Sequence, residues 1–141
     1  MEWRYCLGKN REKYINELPD CCYTRALSNA TGMDYKEAYN LISKYIEQEE
    51  LDEKFKHNDR NSMCKDVIKK VLSDLNWQYQ SLMVFGKGTS NHICKNELPS
   101  GIIIAQISKG ITCIKDGVLF DKYDVSRHDT RCCYAVWTKN I

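Results

Sequence analysis

The chain has 141 residues, 43% hydrophobic and 28% charged, with a formal net charge of +2. That is enough for one domain around one core, and the apolar content excludes a disordered polymer. No apolar run is long enough to cross a bilayer, and the lysines are scattered rather than striped, so neither a membrane span nor a footprint for double-stranded nucleic acid is expected.

Residues 1–18 carry Trp3, Tyr5 and Leu7 ahead of a charged segment and read as a short strand or an arm laid on the domain. A first helix is predicted from Asp20, a good N-cap, to Gly32, a good residue to follow a helix end. Cys22, Ala26 and Ala30 recur every fourth position and form one small-residue stripe. A second helix opens on Asp34, with Glu37 three residues later, and buries Tyr35, Ala38, Tyr39, Ile42, Tyr45 and Ile46. The charged run Glu47–Arg60 ends it as a solvated loop or frayed helix. A third helix starts near Asn61 or Ser62, with Cys64, Val67, Ile68, Val71, Leu72 and Leu75 at helical spacing.

From Trp77 the period changes to alternation, ending at Gly86, and a loop follows. Three strand-like runs come next, Gly101–Ser108, Ile111–Lys115 and Val118–Tyr123, and a last one covers about Arg131 to Thr138. Asp116-Gly117 predicts a type I′ hairpin turn. Helices first and strands second give an α+β class, with N-terminal helices packed on a C-terminal antiparallel sheet.

Eight cysteines are many for this length. No charged-then-apolar leader is visible, so a cytoplasmic setting with reduced thiols is expected. No cysteine pair has the two-residue gap of a zinc knuckle, and two pairs are adjacent, Cys21-Cys22 and Cys132-Cys133. No metal and no cofactor is therefore assigned, and most of these thiols read as core fillers.

The hairpin fixes geometry. With Asp116 and Gly117 central, Ile114 pairs with Leu119, Cys113 with Phe120 and Thr112 with Asp121. Gly110, Thr112, Ile114, Leu119, Asp121 and Tyr123 then share one face. Asp121 could orient an ionisable side chain at position 110, but that position is glycine.

The blocks DCCYTRALSNATGMDYKEAY, MVFGKGTSNHICKNELPSG, ITCIKDGVLFDKYDVSR and RCCYAVW cover most of the chain. Their order and spacing resemble a family of small tailed-bacteriophage proteins with a papain-like cysteine-peptidase fold. The resemblance implies a single papain-like domain over residues 1–141. It implies that Cys22, three before Arg25, stands where the family has its nucleophile, that Asp121 is the orienting carboxylate, and that His92 is the histidine of the middle block. The family's usual base falls at Gly110.

A cysteine nucleophile must be a thiolate, favoured by a helix N-terminus and a neighbouring imidazolium. Cys22 has the helix start; glycine supplies no imidazole. His92 or His128 would have to serve instead, and His57 lies in the charged run. The reading expected first is a host-cytoplasmic phage accessory protein, countering host defence, that binds a host protein or sequesters a small signalling molecule in the former active-site cleft. Its candidate lining is Cys22, Arg25, His92, Gly110, Thr112, Asp121 and Tyr123. The alternative is an active cysteine hydrolase using Cys22, His92 or His128, and Asp121. A third reading is a protein-binding module without a cleft, with Glu47–Arg60 as its surface.

Overall fold

The computed structural model describes residues 1–51 and 60–139. In chain order these form β1 (Glu2–Tyr5), α1 (Cys22–Thr31), α2 (Tyr35–Leu51), α3 (Arg60–Asp74), β2 (Trp77–Ser81), β3 (Met83–Val84), β4 (Gly88–Thr89), β5 (Ile102–Ile107), β6 (Gly110–Lys115), β7 (Val118–Asp121) and β8 (Ala135–Lys139). The class is α+β. Most of the charged run lies outside the described residues, His57 with it.

The helices follow their apolar periods. Ala26, Leu27 and Ala30 of α1, Tyr35, Ala38, Ile42 and Ile46 of α2, and Cys64, Val67, Ile68, Val71 and Leu72 of α3 are buried. They meet Ile104, Ile111, Cys113 and Trp137 of the sheet in one core. α1 stops at Gly32, which takes a left-handed φ of 77° and returns its N–H to Ser28 O at 2.9 Å. At the start of α2, Asp34 Oδ2 accepts the Lys36 amide at 3.0 Å, as an N-cap does.

The main sheet runs β1-β7-β6-β5-β8-β2. Its C-terminal strands pair antiparallel throughout, but β1 adds a parallel edge, Glu2 opposite Val118 through Tyr5 opposite Asp121. The sheet is thus mixed rather than purely antiparallel. The reason lies in main-chain pairing, which leaves no side-chain pattern to read: all of β1 is exposed, and its place is held by the ladder and by the Trp3 indole donating to Asp121 O at 3.0 Å. Asp116 and Gly117 take φ of 49° and 80°, the two left-handed residues that a type I′ turn needs, and the register of β6 on β7 is the predicted one.

A second core lies on the opposite face, where Ile93, Ile103, Ala105, Ile107, Ile114, Leu119, Cys133 and Val136 pack together. Covered on both sides, β5 buries the consecutive apolar residues Ile103, Ile104 and Ala105. No described helix is long and apolar enough to cross a membrane.

Candidate functional site

The site begins where α1 meets β6. The N-cap of α1 is Cys21, in extended conformation, and Cys22 is the first helical residue. Asp20, expected as the cap, is drawn away by charge: its Oδ1 meets Arg25 Nη1 at 2.8 Å and its Oδ2 meets Lys122 Nζ at 3.2 Å. A charge-assisted bond outcompetes a cap bond to a neutral amide.

Position 110 stands directly against Cys22. A Cβ built on Gly110 would lie 2.8 Å from Cys22 Sγ, closer than real Cβ atoms approach. The thiol therefore occupies the space in which any side chain at 110 would begin. Burial raises the Cys22 thiol's pKa, the charges of Cys21 and Asp121 push the same way, and the Ile111 amide and Arg25 oppose without winning; the net shift is upward. Desolvation outweighs the helix terminus here. The upward shift is the opposite of what a nucleophile needs.

The neighbouring thiol behaves differently. Cys21 is buried against Cys64, whose S–H favours the Cys21 thiolate, as do the Thr24 and Tyr23 backbone amides at the helix start; its pKa is lowered although burial opposes. Cys64 is raised by the same contact. Cys21 is only 4% exposed and Cys64 0%, so neither meets a substrate in this conformation.

Asp121 is fully engaged. Its Oδ1 accepts from Arg25 Nε at 2.8 Å and from the Lys122 amide at 2.6 Å, and Thr112 Oγ1 donates to its Oδ2 at 2.5 Å. That bond places Thr112 and Asp121 on one face, as the hairpin count requires. Burial lowers the Arg25 pKa, but Asp121 and Asp20 more than offset it and the net shift is upward. The carboxylate that would orient an imidazole is instead locked on a buried guanidinium.

The histidines make other contacts. His92 bridges to Cys132 along the backbone, and its Nδ1 meets Glu97 Oε1 at 3.1 Å. His128 is exposed in a turn with a left-handed φ of 56°. Neither is hydrogen-bonded to Cys22 among the described residues. Tyr123 is 62% exposed, beyond the end of β7, with Lys122 Nζ 5.4 Å from its ring centroid. The structure thus brings together Cys22, Arg25, Gly110, Thr112 and Asp121, and among the described residues no hydrogen bond or ion pair ties His92, His128 or Tyr123 to them. No three His, Cys, Asp or Glu side chains among the described residues converge as a metal site would require.

Beside Gly110 opens a cavity of about 470 Å³, within the ~300–1,000 Å³ range of small-molecule sites. Gly110, Ile111 and Tyr23 form the wall nearest Cys22, and Ile68, Ile107 and Trp137 supply apolar surface. Lys65 and Lys69 from α3 and Lys109 from the β5–β6 turn bring positive charge, and no carboxylate among the described residues lines it. Sequence reasoning missed this cavity and the Cys21–Cys64 contact. Lys65 and Lys69 are four apart on an exposed helix face, but no local spacing ties them to a turn forty residues later.

No protein-family model matches the chain, and neither a curated protein nor a solved structure matches it.

Proposed function

We propose that this chain is a catalytically silent, papain-like ligand-binding protein of the tailed-phage type, acting in the host cytoplasm against a host defence by sequestering a small molecule. The observation that carries the reading is the 2.8 Å approach of Cys22 Sγ to the missing Cβ of Gly110. A glycine where the resemblance expects a base removes the proton acceptor, and the Cys22 thiol fills the space where its side chain would begin. A positioned base usually contributes ~10²–10⁴-fold to such a reaction, so its loss leaves little hydrolysis. The Arg25–Asp121–Thr112 network supports the same reading, because it satisfies its own polar groups and leaves no carboxylate to orient an imidazole. What stays open is the cavity behind Gly110.

The test is release of the ligand. Protein purified from bacterial cells is heat-denatured and the supernatant examined by mass spectrometry. A small molecule present at near one per chain, and equally present in Cys22→Ala, is expected. A clean supernatant together with Cys22-dependent cleavage of peptide or ester substrates would instead support the hydrolase.

A protein-binding reading rests on a separate observation. The β3–β4 hairpin exposes Met83, Val84 and Phe85, and exposed apolar side chains clustered in this way suit a protein partner.

A further inference from the structure

The cavity beside Gly110 combines three features that together describe a ligand. The first is charge: Lys65, Lys69 and Lys109 line it with no carboxylate among the described residues, while Glu49, Asp66 and Asp74 lie with Lys69 around the adjoining pocket. Arg131 adds a further cation behind the turn, its Nη2 donating to Ser108 O at 2.7 Å and to Ser108 Oγ at 3.1 Å. The three lining lysines meet no carboxylate inside the cavity among the described residues, so an anion there would gain from their charge.

The second feature is the aromatic wall. Tyr79 and Trp137 lie with ring centroids 5.2 Å apart at 58°, and Tyr23 and Tyr134 complete the aromatic lining. Lys69 Nζ sits 4.0 Å from the Tyr79 ring centroid, so one cation is already held against an aromatic face. Trp137 and Tyr23 are buried, so Tyr79, 40% exposed, is the ring on which a flat base can stack, a contact that contributes ~1–3 kcal/mol. The Trp137 indole N–H is buried without a partner behind this wall.

The third feature is the turn itself. Lys109 holds a left-handed φ of 71°, a conformation that glycine or asparagine adopts at less cost.

We infer that the cavity binds a free nucleotide, its phosphates on Lys65, Lys69 and Lys109 and its base against the exposed ring of Tyr79. The inference rests on the ligand-binding reading above and gives it a chemical class. A bare phosphate would leave the aromatic wall unused, and a neutral ring would leave the lysines unused.

The experiment is calorimetric titration of the full chain with the 5′-diphosphates of adenosine, guanosine, cytidine and uridine, alongside the matching nucleosides and pyrophosphate. At least one nucleotide is expected to bind at least about tenfold more tightly than its nucleoside and than pyrophosphate, because only the nucleotide engages both the lysines and the rings. Its affinity should weaken as salt rises. The double variant Lys65→Ala, Lys109→Asn, which keeps a left-handed turn residue, should lose at least about tenfold in affinity with an unchanged circular dichroism spectrum. Tyr79→Ala should narrow the gap between nucleotide and pyrophosphate. The inference is overturned if no nucleotide binds at millimolar concentration, if the nucleoside binds as tightly, or if the lysine variant binds unchanged. If nucleotides fail while heat releases a molecule of another class, the ligand class is wrong and the binding reading stands. If nothing is released and Cys22 hydrolyses substrate, the binding reading itself falls.

Discussion

Replacing Asp121 with Ala is expected to cost about 3–5 kcal/mol, because it strands a buried guanidinium. Arg25 and Asp121 are 7% and 3% exposed, so water cannot take over the lost bond. Arg25 would keep only Asp20, whose other oxygen is engaged by Lys122. Thr112 Oγ1 and the Lys122 amide would lose their acceptor as well. In a domain of this size the loss corresponds to a fall in melting temperature of ~10 °C or more. Removing both charges should hurt less than the sum: Arg25→Met with Asp121→Leu replaces the pair by apolar volume, a change that is often near neutral. Thermal denaturation followed by circular dichroism checks both. If Asp121→Ala melts within about 3 °C of the parent, a range that surface changes give, the buried pair does not hold α1 to β7.

Gly110→Ala should destabilise the chain by about 1–3 kcal/mol, and Cys22→Ala should abolish that penalty. The sign is informative because Gly110 does not sit at a left-handed φ. With space available, a Gly-to-Ala change in a conformation that alanine can adopt stabilises by about 0.4–1 kcal/mol through the unfolded state. Here the new methyl would overlap Cys22 Sγ at 2.8 Å, while Cys22 Cβ at 3.9 Å leaves ordinary contact room once the sulfur is gone. A double-mutant cycle should therefore give a coupling of at least about 1 kcal/mol, read from denaturant midpoints at constant slope. Additive single effects would mean that the thiol does not occupy that notch. Gly110→His should be costlier than Gly110→Ala and should not restore hydrolysis, since Asp121 stays locked on Arg25 and Thr112 and cannot orient the ring.

Much of this was legible in the chain. Helical periods, the Gly32 stop and the Asp116-Gly117 turn are local signals, and the elements they mark formed where expected. The hairpin count alone put Thr112 beside Asp121, and the resemblance put position 110 over Cys22. What stayed hidden depends on competition between distant groups. Asp20 looked like a cap until Arg25 and Lys122 were brought to it. Cys22 looked like the thiol favoured by the helix start, yet burial under Gly110 raises it while Cys21, beside Cys64, is the one lowered. The parallel edge β1 has no side-chain signature, because all four of its residues face solvent. The lysines of the cavity come from α3 and from a turn after β5, and only the folded chain joins them.

The most direct measurement is the rate at which Cys22 reacts with iodoacetamide across pH, with the label located by fragment ions between residues 21 and 22. Cys22 in a plugged, desolvated notch should label at pH 7 no faster than an unperturbed cysteine peptide, and its rate should climb only at and above pH 9, the ordinary thiol value from which it is raised. Labelling at least about tenfold faster than the peptide at pH 7, with a plateau already reached below that pH, would identify an activated thiolate and contradict the account.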